Sequence, residues 1–239
     1  MHFFHHFFLF FKIMILVTTY YIPNDKQRLL EINRCLYKNY NNKYIKKIYL
    51  LNDYNYDLPF EDKNNKIETI IINSKNQKLK YADVIHFINE KLTNNICILS
   101  NSDIYFDNSL SKINNLNITN NFFALLRYDE DLKGNKILFK RHNIPRDDSQ
   151  DSWIFRSPLN IDLQKLDFTL GTPGCDSIFA NIVHNSSIKV SNPCYDIITT
   201  HVHNNNYRTY TENDVLHGIY ALLTPCKLGE YPNINFIDY

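Results

Sequence analysis

Four short apolar runs, separated by stretches of helical periodicity, constrain this chain more than any other feature. Ile13–Thr18, Lys47–Leu51, Ile67–Ile72 and Ile96–Leu99 are rich in Ile, Leu, Val and Tyr, the composition of strands buried in a sheet. Between the first two, Leu29, Ile32, Leu36 and Tyr40 share one face of an expected helix over Lys26–Tyr40, with Asn24 or Asp25 placed to cap it. Between the last two, Val84, Ile85, Ile88 and Leu92 do the same for residues 81–92. Strand, helix, strand, twice over, predicts an α/β fold with a mostly parallel central sheet flanked by helices. With 44% hydrophobic residues in 239, a core of that size can form. The expected organisation is one domain over residues 14–239. Residues 14–110 would form one half of it and residues 111–239 the other, around a shared core.

Each of three runs ends abruptly in oxygen-bearing side chains: Thr18-Thr19, then Asn52-Asp53, then Ser100 to Asp103. In a parallel sheet, ligands gather at the carboxyl ends of the strands. These clusters therefore predict a binding edge. Tyr20 follows the first cluster and joins it as a candidate contact.

The second half is less regular. Strands are expected over residues 122–127, 152–155 and 197–203, a helix over 176–183, and a loop or hairpin over 129–151.

Several classes are excluded or disfavoured. Five glycines, with no GxGxxG and no GxxxxGK, argue against a dinucleotide fingerprint and a phosphate-cradling glycine loop. A phosphorylated ligand would then need a metal ion on carboxylates. A net charge of +1 without a basic stripe argues against nucleic acid as a partner. Five scattered cysteines with no CxxC pair read as free thiols of a reducing compartment, hence a cytoplasmic location. The N-terminal run MHFFHHFFLFFKI is apolar but short for a bilayer span and lacks a cleavage site. Residues 1–13 are read as a dispensable extension, with Met14 as a possible start.

Asn101-Ser102-Asp103 is the stretch richest in chemistry. Hard divalent cations take oxygen ligands, and a carboxylate at a strand end holds one rigidly. The same residue types also end strands for turn reasons alone, so the residues leave both readings open. His201-Val202-His203 closes another strand-like run, where alternation puts both imidazoles on one face. Asp151 precedes Trp153, the single tryptophan. The ring would suit stacking on a sugar or packing half-buried beside a polar turn. Asp176 follows Gly174-Cys175 at the start of the expected helix, where a carboxylate is favoured by the helix dipole both as a base and as a plain cap.

Taken together and in order, ILVTTYY, YLLND, NSDIYFD, DSQDSWIF, GTPGCD and HVHNNNYRTY resemble GT-A nucleotide-sugar glycosyltransferases of the family 2 type. They are similar in particular to a subgroup from large DNA viruses and bacteria. The likeness covers roughly Ile13 to Tyr210. It implies a GT-A sheet with a smaller acceptor-side sheet, and metal-dependent, inverting transfer from a UDP- or GDP-sugar to a glycan or glycoprotein acceptor. Asn101-Ser102-Asp103 would stand for the DxD motif, with Asn in the first slot. Asp103, His201 and His203 would hold Mn²⁺ or Mg²⁺. Thr18, Thr19, Tyr20, Asp53, Asn101, Ser102 and Arg208 would bind the nucleotide, and Trp153 the acceptor. Asp176 would be the general base, with Asp151 the second candidate. A nucleotidyltransferase is the neighbouring alternative, although TTYYIPND lacks the glycine-rich loop expected of one. Asn101 keeps open a catalytically inactive nucleotide- or sugar-binding module.

Overall fold

The computed structural model of the chain describes residues 14–72, 78–114, 116–131, 133–203 and 212–239. Residues 1–13, expected as an extension, and Arg208 lie outside the described residues. In chain order the elements are β1 (Met14–Thr18), α1 (Lys26–Tyr40), β2 (Ile45–Asn52), β3 (Ile67–Ile71), α2 (Tyr81–Lys91), β4 (Ile96–Ser100) and β5 (Ile104–Phe106). Then come β6 (Asn121–Leu125), β7 (Tyr128–Glu130), β8 (Lys136–Leu138), β9 (Lys140–Arg141), β10 (Ile144–Pro145), β11 (Ser152–Arg156), α3 (Cys175–Asn185), β12 (Lys189–Ser191), β13 (Thr199–His201), β14 (Ile219–Leu222) and β15 (Asn235–Asp238).

A seven-stranded sheet in the order β12-β6-β11-β4-β1-β2-β3 forms the centre. β1 pairs in parallel with β2 and β4, and β2 with β3. β11 alone runs antiparallel, wedged between β4 and β6. A four-stranded sheet, β5-β13-β7-β8, stands beside it. β1 and β4 are buried along their whole length, which explains their unbroken apolar runs.

Two layers cover the sheet. Val84, Ile85 and Ile88 of α2 pack with Phe179, Ala180 and Val183 of α3 on one face. Ile32 and Leu36 of α1 pack with Leu16, Ile48 and Leu50 on the other. α1 spans the expected residues, and the Asp25 side chain caps it by accepting from Arg28 N. Residues 129–151, expected as a loop or hairpin, carry β8, β9 and β10 as short hairpin strands. No helix among the described residues is long and apolar enough to cross a membrane.

Candidate active site

The three polar strand ends meet at one edge of the central sheet. Thr18 Oγ1 donates to the Ser100 carbonyl at 2.9 Å, which ties β1 to β4. Tyr20 N donates to Asn52 Oδ1 at 2.8 Å, which ties the loop after β1 to β2. Asp53 follows Asn52, and its Oδ1 accepts from Tyr56 Oη at 3.2 Å. Tyr56 packs edge-on against Tyr20 and Tyr54, so an aromatic wall stands beside the carboxylate. The parallel pairing brings these segments together, because it places all three strand ends on the same side.

Asp103 lies just past β4 and is 8% exposed. Its Oδ2 accepts from the Arg28 guanidinium and lies 3.1 Å from His201 Nε2. Burial would raise its pKa, but His201 and Arg28 hold it well below the usual carboxylate range. The other oxygen, Oδ1, is buried with no hydrogen-bond partner among the described residues. A buried carboxylate oxygen left unmet is costly and calls for a ligand.

His201 ends β13, the strand that pairs with β5 and sets its imidazole beside Asp103. Its Nδ1 lies 2.9 Å from Asp129 Oδ1. Burial lowers the His201 pKa, yet Asp103 and Asp129 on its two nitrogens prevail and push it up to about 9. The His203 ring stacks on that of His201 with centroids 5.5 Å apart. Burial and the neighbouring Arg28 lower the His203 pKa. One ligand atom from each of Asp103, His201 and His203 lies within 4.8 Å of the others. The fit to a divalent cation is good on three counts: the donor set, the unmet Oδ1, and a carboxylate bracing His201 from behind, as ligating histidines usually have. Two imidazoles with a carboxylate are not the all-oxygen set that Mg²⁺ prefers.

Asp151 and Asn101 belong to a second cluster joined to the first. Asn101 Nδ2 donates to Asp151 Oδ1 at 3.1 Å, and Arg127 Nη1 donates to Asp151 Oδ2 at 2.9 Å. Both oxygens are thus engaged, which suits Asp151 to positioning rather than to proton abstraction. Ser102 lies in the turn between Asn101 and Asp103, partly exposed.

Asp176 occupies the first turn of α3, after Gly174 at φ +85°. Its Oδ2 accepts from Gln150 N at 2.7 Å, so the turn before β11 is clasped to α3. The helix dipole was expected to keep this carboxylate ionised. Instead burial, aided by the nearby Asp151 charge and only partly offset by the Gln150 N–H, pushes its pKa up to about 7. Desolvation acts on the whole charge, whereas a helix terminus contributes about half a charge.

The acceptor role expected of Trp153 is corrected by its place in the core. The ring is 1% exposed and packs edge-on against Tyr81 and Phe179. β11 is covered on both faces, so the ring has no face to offer a sugar.

Three residues that sequence reading passed over complete the site. Arg28 looks like an ordinary helix-surface arginine. Arg127 and Asp129 sit where a strand runs into charged loop. The charge alternation Arg127-Tyr128-Asp129 was a usable signal, but nothing local marked Arg28.

No family model matches the chain, and no curated protein does. Among solved structures it is similar to S. aureus TarS 1–349 in complex with UDP-GlcNAc, with a TM-score of 0.50 and 13% identity over 84% of this chain and 62% of that one. It also overlays the mannosyltransferase PcManGT from Pyrobaculum calidifontis, in complex with GDP-Man and Mn²⁺, with a TM-score of 0.49 and 12% identity over 83% of this chain and 58% of that one. A third structure is the Francisella tularensis 2-C-methyl-D-erythritol 4-phosphate cytidylyltransferase, with a TM-score of 0.43 and 14% identity over 85% and 96%. The chain spans less than two thirds of the first two structures. The fold is of the GT-A type: a mostly parallel central sheet flanked by helices, with a smaller sheet beside it.

Proposed function

We propose that this chain transfers a sugar from a nucleoside-diphosphate donor, UDP- or GDP-linked, to a hydroxyl of a glycan or glycoprotein acceptor. The observation that carries this reading is the buried, unmet Oδ1 of Asp103 beside His201 and His203, at the ligand-binding edge of a GT-A-type sheet. Asp103, His201 and His203 would hold the divalent cation, Mn²⁺ or Mg²⁺. When bound, that ion supplies positive charge to a diphosphate.

The remaining work falls to the chain itself. Asp53 and the Tyr20–Tyr56 wall receive the base, while Thr18, Thr19, Asn101 and Ser102 line the path of the ribose and phosphates. Arg208 is a further candidate for a phosphate oxygen. Asp176 takes the proton from the acceptor hydroxyl at Oδ1 or Oδ2, and its pKa of about 7 suits a base working near neutral pH. A base rather than a carboxylate nucleophile implies a single displacement with inversion. Gln150 N holds the carboxylate in place, and Asp151 holds Asn101.

The test is a thermal-shift series with UDP, GDP and their sugars, with and without Mn²⁺, followed by transfer of labelled sugar to added acceptors. Ligand at about 100 times its dissociation constant should add roughly 2.7 kcal/mol of stability. No metal-dependent shift with any nucleotide would overturn the reading.

A further inference from the structure

Arg28 belongs to the first turn of α1, yet its side chain turns inward and the residue is only 8% exposed. Its Nη1 donates to Glu31 Oε2 at 3.1 Å and to the Val202 carbonyl at 3.3 Å. Its Nη2 donates to Asp103 Oδ2, the oxygen that also faces His201 Nε2. Glu31, its second carboxylate partner, is 2% exposed. Asp103 therefore already has a fixed cation on one oxygen while the other stands unmet. A divalent ion held by Asp103, His201 and His203 would have to share that carboxylate with the guanidinium. In a buried site, two cations so close repel strongly.

The diphosphate of a donor changes this balance. It brings negative charge to the same place, and a guanidinium fork matches phosphate oxygens as well as it matches a carboxylate. Arg28 sits at the positive end of α1, where backbone N–H groups also favour an anion. We infer that Arg28 is a built-in cation of the candidate metal site: it pairs with Asp103 Oδ2 when no ion is bound, opposes binding of a bare divalent ion, and turns to the diphosphate when ion and nucleotide enter together. Metal and nucleotide then load as a pair, and Arg28 sets the strength of their coupling. This rests on the reading of Asp103, His201 and His203 as metal ligands.

The test is Mn²⁺ binding, followed by the electron paramagnetic resonance signal of the free ion, to the wild type and to Arg28→Met, each with and without UDP or GDP. Without nucleotide, Arg28→Met should bind Mn²⁺ at least about 10-fold more tightly than the wild type. The nucleotide should then tighten Mn²⁺ binding more in the wild type than in the variant, since coupling between two ligands is read as such a ratio. Arg28→Lys keeps the charge without the fork, so it should bind bare Mn²⁺ as weakly as the wild type and show reduced coupling. If Arg28→Met does not fold by circular dichroism, Arg28→Met/Glu31→Gln removes the guanidinium without stranding the Glu31 carboxylate, while His201 still faces Asp103, and the same tightening is expected. Equal or weaker binding of bare Mn²⁺ by the charge-removed variant overturns the inference while leaving the metal site standing. Mn²⁺ binding to none of these proteins, with or without nucleotide, overturns both.

Discussion

Asp129 braces His201: the imidazole Nδ1 lies 2.9 Å from Asp129 Oδ1, while its Nε2 faces Asp103 Oδ2 at 3.1 Å. Arg127 continues the chain, with Nε on Asp129 and Nη1 on Asp151, each at 2.9 Å. Asp151 returns it to Asn101, two residues before Asp103. The circuit is closed, so neither Asn101-Ser102-Asp103 nor His201 can shift without moving the other. A preorganised set of candidate ligands of this kind holds its geometry before anything binds.

Asp103 is therefore both a candidate ligand and a structural partner. Asp103→Ala takes from the buried Arg28 guanidinium one of its two carboxylate partners and should cost about 1.5–3 kcal/mol of folding stability, the scale of a lost hydrogen bond to a charged group, measured by urea denaturation. Asp103→Asn keeps an acceptor for Arg28 and should cost less. It should also abolish the Mn²⁺-dependent thermal shift with nucleoside diphosphate. An unchanged shift in Asp103→Asn would reduce the motif to a turn.

Asp176 gives a pH signature with a defined sign. A carboxylate raised to about 7 on folding takes up a proton between its unfolded value and that pH. Its contribution favours the native state at low pH and is lost as pH rises through about 7. Asp176→Asn should thus be more stable than the wild type at about pH 8, with the gap closing towards about pH 4. Transfer should fall by about 10²-fold or more, and the wild-type rising limb near neutral pH should vanish. Denaturation curves across pH and a pH–rate profile check both.

Asp53→Ala should weaken nucleotide binding by about 1–3 kcal/mol, the scale of a lost hydrogen bond to a charged group. Calorimetric titration with UDP and GDP measures it. Equal affinity in the two proteins would remove Asp53 from the base pocket.

Trp153→Ala should cost about 3–5 kcal/mol by opening a cavity beside Tyr81 and Phe179. Trp153→Phe should cost less, because the buried Nε1 has no acceptor among the described residues and its loss removes an unmet donor. Acceptor affinity should be unchanged in Trp153→Phe. A drop in acceptor affinity without a drop in stability would return this ring to the site.

The two glycines of the GTPG turn should separate backbone strain from crowding. Gly171 has φ +77° and nothing within 4 Å of an added Cβ, so Gly171→Ala should cost only the left-handed penalty, about 1–2 kcal/mol. At Gly174, φ +85°, an added Cβ would lie 1.7 Å from Tyr220 Oη, so Gly174→Ala must also displace that ring. Melting temperatures of the two variants should rank in that order, with Gly174→Ala the lower.

The sequence by itself determined the parts whose cause is local. Apolar runs named β1, β2 and β4 because buried parallel strands have no polar face, and α1 was bounded by its periodicity and the Asp25 cap. Parallel order then implied a ligand edge, with Asp53 and Asp103 at strand ends. Only the tertiary structure decided what those side chains touch. Arg28 meets Asp103 across 75 positions, His201 meets Asp103 across 98 and Arg127 meets Asp151 across 24; none of these pairings leaves a period or a spacing to read. The antiparallel insertion of β11 between β4 and β6 buried Trp153 and drew Asp151 against Asn101. Asp176 shows the same division: its place at a helix start was legible, but its proton affinity was set by the atoms that fold around it, and desolvation outweighed the dipole.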